Sequence, residues 1–287
     1  MKRLLLCTDG SVFAQSSYQY AAWLATRLTA TVDVLYVTDE RSQGTIETSN
    51  FSGTIGIDAS GVLLNQLVEL EHQKAKLNHQ RAKEILQTAQ QVLTSQGVET
   101  VNLRHETGSL VDRFDEFEAQ ADLVILGKRG EAAGMASGHL GANLERIIRA
   151  SHKPCLVTSR QFKPIDRLLL AYDGSPSCQK ILDLLVNSSA FAGLDLYIVT
   201  VAKHAQGKTA ISRINEAKQQ ARLGGFEPVC CLVEGHPEQA IAEYAEESNI
   251  DLLLMGAYGH NRIRHLVIGS TTAQILRSIH IPVLLFR

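Results

Sequence analysis

Residues 3–11 of this chain, RLLLCTDGS, return at 167–175 as RLLLAYDGS, identical at seven of nine positions. Two further blocks repeat in the same order. Ala121–Gly130 (ADLVILGKRG) matches Ile250–Gly259 (IDLLLMGAYG), and Ser151–Val157 (SHKPCLV) matches Ile279–Leu285 (IHIPVLL). Three ordered matches mean two copies of one structural unit, and no other feature limits the fold as much. The distance between partners falls from 164 to 129 positions, so the first copy carries 35 extra residues in its middle. The expected domains are 1–160, with a long insert over 39–75, and 166–287. A short linker, Gln161–Asp166 with Pro164, joins them.

Each copy reads as strand and helix in alternation. Arg3–Thr8 is an apolar run that predicts a buried parallel strand. Ser11 is placed to cap a helix through Leu28, with Ala21, Ala22, Leu24, Ala25 and Leu28 inward. Thr31–Thr38 is a β-branched second strand. Asp39–Gly61, rich in Ser, Thr and Gly, predicts a loop, and Leu63–Ser95 predicts a long helix ended by Gly97. Strand 100–105, helix 109–120, strand 122–126, helix 141–150 and strand 154–158 complete the copy. The second copy predicts strand 167–172, helix 177–192, strand 195–201 and helix 209–222. The stripe of that last helix is Ile211, Ile214, Ala217 and Ala221. Strand 226–233, helix 237–248, strand 251–255, helix 270–279 and strand 281–286 follow. Five alternations per copy imply an α/β fold, an open doubly wound five-stranded parallel sheet with helices on both faces. Ligands in such sheets bind beyond the carboxyl ends of the strands.

Composition narrows the function. With 28 basic and 30 acidic residues there is no basic surface for nucleic acid or an anionic membrane. The apolar start, MKRLLLC, meets Asp9 too soon for a signal peptide, and no stretch approaches a membrane span. The five cysteines have no metal-ligand spacing and read as reduced thiols, which implies a cytoplasmic protein.

The chemistry concentrates in Gly256–Thr272, GAYGHNRIRHLVIGSTT, between a strand and a helix. Gly256 and Gly259 bracket a turn where a ligand can approach the backbone. Gly269, Ser270 and Thr271 open a helix whose unpaired N–H groups and partial positive charge attract phosphate. Asp173, in YDGS, suits the far end of a nucleotide, accepting from ribose or the adenine amino group. A plain turn aspartate before glycine is the competing reading. His260, Arg262, Arg264 and His265 could neutralise phosphate, or simply face solvent.

The spacing G-x2-G-x9-G-[ST] resembles that of ATP-binding members of the universal stress protein family, and the resemblance covers nearly the whole chain as two tandem units. It implies an adenine-nucleotide-binding, Rossmann-like unit with ATP as ligand and Val201 reading the adenine edge. It also implies that the last strand pairs with its counterpart in the other unit, an intrachain pseudo-dimer. A magnesium ion, where one is used, would arrive with the nucleotide. A homodimer of tandem chains is left open.

The first copy departs from this pattern. Gly127 and Gly130 keep the turn, but ten residues precede Gly141, and Ala142, Asn143 and Leu144 replace the hydroxyl residues. Glu145 puts negative charge where phosphate would sit. Asp9 and, by position, Val37 are also retained. Gly256–Gln274 contains no Asp or Glu to serve as a general base, and no G-x4-G-K-[ST] loop occurs. The residues therefore favour holding a nucleotide over cleaving it. Two alternatives stand: an enzyme that cleaves ATP to adenylylate a substrate, which would carry Ser-Gly-Gly rather than Asp-Gly-Ser after its first strand, and a scaffold that binds no nucleotide.

Overall fold

The computed structural model describes residues 1–39, 57–128, 140, 142–202, 207–257 and 269–287, with the side chains of all but 57–64 and 142. The first unit contains β1 (Arg3–Thr8), α1 (Ala14–Leu28), β2 (Thr31–Thr38), α2 (Ile57–Ser95), β3 (Val101–Thr107), α3 (Leu110–Glu118), β4 (Leu123–Gly127), α4 (Ala142–Ala150) and β5 (Cys155–Thr158). The second contains β6 (Arg167–Ala171), α5 (Pro176–Asn187), β7 (Asp195–Ala202), α6 (Lys208–Leu223), β8 (Val229–Glu234), α7 (Pro237–Glu247), β9 (Leu252–Gly256), α8 (Ser270–Ser278) and β10 (Val283–Phe286).

All ten strands join one sheet in the order β3-β2-β1-β4-β5-β10-β9-β6-β7-β8. Each half is parallel, and the seam between halves is antiparallel, with Val283 opposite Val157, Leu284 opposite Leu156 and Leu285 opposite Cys155. The two closing strands, edges in a lone unit, thus cover each other's open hydrogen-bonding side.

The near-continuous apolar strands follow from burial on both faces. Leu4, Leu6, Leu168 and Leu170 point into one layer with α1, α2, α5 and α6. Leu5, Cys7, Leu169 and Leu253 point into the other with α3, α4, α7 and α8. Leu4, Leu6, Leu168 and Leu170 are fully buried, and truncating any one to Ala should cost about 2–5 kcal/mol.

Helix α2 lies on the sheet through Ala82, Leu86, Ala89 and Leu93, all buried at steps of four, three and four. Helix α6 repeats this stripe 128 positions on with Ala210, Ile214, Ala217 and Ala221. Gly97 and Gly225, also 128 apart, follow the two helices with positive φ.

Several local readings need correction. Helix α2 starts at Ile57, inside the stretch read as loop; 40–56 lies outside the described residues. Ser11 does not cap α1: the helix begins at Ala14, after Phe13, with no side-chain cap. The helix predicted over 177–192 ends at Asn187, because the Ser188 hydroxyl accepts from the Ala190 amide and opens a separate 3-10 turn at Ser189–Phe191. Strand β8 begins at Val229, since Pro228 has no N–H for a ladder. Ile211 is 40% exposed, and Ala210 takes its place in the stripe.

Candidate functional site

The crevice of the second unit can be followed contact by contact along the carboxyl edge of the sheet. Ala171 pairs with Val199 of β7 on one side and Met255 of β9 on the other. The Tyr172 amide donates to the Val199 carbonyl at 2.8 Å, and the Thr200 hydroxyl donates to the Tyr172 carbonyl at 2.9 Å. Asp173 therefore emerges beside Val201 and beside Gly256. A Cβ on Gly256 would lie 3.0 Å from Ser177 Cβ and 3.2 Å from Cys178 Sγ, so α5 abuts the end of β9 and glycine is needed there. Ala257 then meets the mouth of α8: the Thr272 hydroxyl donates to the Ala257 carbonyl at 3.0 Å. Gly269 is the residue before α8, 3.6 Å from that same carbonyl by its would-be Cβ.

Of the sequence-predicted residues, Asp173, Val201, Gly256, Gly269, Ser270 and Thr271 thus share one edge. Asp173 is half-buried, and its Oδ1 accepts from the Ser175 amide at 2.8 Å, the turn role set against it in the sequence. A carboxylate has lone pairs for several donors, so this bond does not exhaust it. Val201 is half-buried, Ser270 exposed and Thr271 half-buried at the first turn of α8. That turn holds no acidic residue. Gly259, His260, Arg262, Arg264 and His265 lie outside the described residues, as do Gly130 and Gly141.

Three features escaped the sequence reading. Thr272 is not a ligand hydroxyl, because it is 3% exposed and bonded inward. Cys178 sits against the crevice floor, its thiol donating to the Ala171 carbonyl at 3.3 Å. Burial first, then the charge of Asp173, pushes that thiol up to about 11, so it stays protonated at neutral pH. Third, Arg213 of α6 lies over the Asp-Gly turn, with Cδ and Nε 3.0 Å from where a Gly174 Cβ would be. The 128-residue offset was the available signal, since it sets Arg213 opposite Ile85.

In the first unit the same turn is present but differently covered. Asp9 Oδ1 accepts from the Ser11 amide at 3.0 Å, and Gly10 has φ +72°, as Gly174 has +74°. Ile85 packs onto Gly10, its Cδ1 2.4 Å from a would-be Cβ. In the first turn of α4, Leu144 fills the slot that Thr272 fills in α8, and Glu145 pairs with Arg277 of α8 at 3.5 Å. Lys128 follows β4 where Ala257 follows β9, and its ammonium donates across the seam to the Ile279 carbonyl at the end of α8.

Among the described residues no group of three or more His, Cys, Asp or Glu is arranged to hold a metal, and no helix is long and apolar enough to cross a membrane. A groove of about 590 Å³ runs between α7 and α8, lined by His236, Glu243, Gln274 and Arg277 among others.

The profile of the universal stress protein family matches residues 1–159 and again 164–287. Universal stress protein Slr1230 from Synechocystis sp. is 57% identical over 287 residues, all of both chains. The crystal structure of a universal stress protein from Archaeoglobus fulgidus covers 99% of this chain and 98% of that one, with TM-score 0.71 at 22% identity. A functionally unknown protein from Pseudomonas aeruginosa PAO1 shares the fold over 100% of this chain and 92% of its own, with TM-score 0.61 at 14% identity.

Proposed function

The chain belongs to the universal stress protein family, and from that premise we propose that it is a nucleotide-responsive binding module that holds one ATP in the carboxyl-edge crevice of its second unit. The observation that carries this is the strand register that ends β7, β6 and β9 side by side, so that Val201, Asp173 and Gly256 follow one another along the edge toward the mouth of α8. In this reading the Val201 backbone meets the adenine edge, and the Asp173 carboxylate accepts from the ribose or the adenine amino group. Gly256, Gly259, Gly269, Ser270 and Thr271 hold the ribose and phosphates. The fit is electrostatic as well as steric. The first turn of α8 has no acid, and its leading N–H groups suit an anion. The first turn of α4 has Glu145, which disfavours the same ligand. With no Asp or Glu between Gly256 and Gln274 to act as a general base, the site suits holding the nucleotide, with at most slow hydrolysis. The first domain, 1–160, then serves as a structural partner to the second, 166–287.

Native mass spectrometry of the intact chain with ATP should count one nucleotide. By titration calorimetry, Asp173→Ala should weaken binding roughly 10-fold or more, about 1.4 kcal/mol per tenfold, while Asp9→Ala leaves it unchanged. Absence of binding, or binding lost through Asp9 alone, would overturn the reading. Rapid pyrophosphate release would instead support an adenylylating enzyme.

A further inference from the structure

The insert helix makes a second surface that the crevice does not use. Helix α6 begins at Lys208, two residues before its first buried residue, Ala210. Helix α2 begins at Ile57, and the first buried residue among its described side chains is the matching Ala82. From 65 to 81 no residue of α2 is buried. Below Asn78, which is half-buried, and His79, which still meets the body at His105, residues 65–77, roughly 20 Å of helix at 1.5 Å per residue, leave the body at the carboxyl edge, because a crossover between parallel strands runs opposite to them.

The projecting stretch is not built like a solvated helix. Val68, Leu70 and Leu77 are 60%, 57% and 67% exposed, and Leu67 is 36% exposed. These four are half of the eight large apolar side chains so exposed among the described residues. Leu67, Leu70, Lys74 and Leu77 follow steps of three, four and three, the spacing of a seam that packs on another helix. Charge along the stretch is polarised. Glu69 and Glu71 come first, then Lys74, Lys76 and Arg81.

We propose that this helix is a self-association surface, on which two copies of the chain pair their projecting α2 segments antiparallel about a two-fold axis. Charge selects both partner and direction. Antiparallel pairing lays the acidic end of each helix on the basic end of the other, whereas parallel pairing would set Glu71 against Glu71 and Lys76 against Lys76. It also sets Leu67 and Leu70 of one copy near Leu77 and the apolar stem of Lys74 of the other. A two-fold contact of this kind is self-complementary and closes at a dimer. The shorter α6 has no such extension, so the second unit offers no second copy of this surface.

The test is sedimentation velocity of the full chain up to roughly 100 µM, a range that detects dissociation constants of that order. The wild type should sediment as a dimer. Leu70→Glu combined with Leu77→Glu should give a monomer with an unchanged melting temperature, since both residues are exposed. Glu69→Lys with Glu71→Lys should weaken the dimer at least about tenfold, as should Lys74→Glu with Lys76→Glu. All four substitutions together reverse the polarity and should restore it. A monomeric wild type, a dimer indifferent to Leu70 and Leu77, or no recovery in the fourfold variant would each overturn the proposal, whatever other protein the helix captured.

Discussion

The two units share a sheet, a strand order and a turn, yet they finish that turn in opposite ways. In the second unit Ser175 accepts from the Cys178 amide at 3.3 Å, with Pro176 at the first helical position, so α5 starts immediately. In the first unit Val12 stands in place of Pro176, 82% exposed, and the chain makes an extra turn before Ala14. Ser11 is left with its hydroxyl buried and unpartnered. Over the turn lies Arg213 in one unit and Ile85 in the other. At the mouth of the last helix lie Ser270 and Thr271 in one, Asn143 and Glu145 in the other. The lesson is that a duplicated fold keeps its sheet while its carboxyl edge diverges. Strand residues are held by neighbours on two faces, and edge residues are held by few.

Two substitution pairs and one pH dependence would break or sharpen that comparison. The largest effect belongs to the turn glycines. Gly10→Ala should destabilise by about 2 kcal/mol or more, combining left-handed backbone strain with collision against Ile85. Gly174→Ala should cost about 1 kcal/mol, because the long Arg213 chain can move aside. Urea denaturation midpoints compare them, and equal costs would mean that Ile85 does not close the first unit's turn. Next, Ser175→Ala should lose about 1 kcal/mol of helix capping, while Ser11→Ala should be neutral or slightly stabilising, since its hydroxyl is bonded to nothing. Matching losses at both positions would refute the difference in turn structure.

The smallest effect is a pH dependence confined to the first unit. His105 shares a hydrogen bond with the Thr38 hydroxyl at 2.9 Å, stacks on Tyr36 and lies 5.8 Å from the His79 ring. Burial first, then His79, lower its pKa from the ordinary 6.5, with Glu106 opposing. A histidine depressed in the folded state binds fewer protons there than when unfolded. Its stabilising contribution is present above 6.5 and lost as pH falls below that value. Melting between pH 7.5 and 5.5 should drop more in the wild type than in His105→Gln. Strand β8 of the second unit contains no histidine to do the same.

Much of the architecture was legible because burial leaves a periodic trace. The ten strands, three of the four residues of the α6 stripe and the strand-end glycines all follow from apolar spacing and from repeated blocks. Gly256 and Gly269 were singled out by their spacing between a strand and a helix, Asp173 by the Asp-Gly-Ser turn that both copies carry, and Val201 only through the family resemblance. The misreadings fell where one atom decides. Thr272 and Ser270 look alike in sequence, but only the fold turns one hydroxyl onto the Ala257 carbonyl and leaves the other exposed. Ser11 and Ser175 are identical in motif, and the neighbouring Val12 or Pro176 separates them.

By itself the sequence determined two α/β units, the alternation of strand and helix in each and the chemistry on offer at each carboxyl edge, since periodicity and glycine placement are local properties. Only the tertiary structure decided that ten strands make one sheet, that Arg213 rather than an apolar residue overlies the Asp173 turn, and that α2 outruns the body it packs on. Those are contacts between residues far apart in the chain, and no local pattern encodes which surface a long helix will leave uncovered.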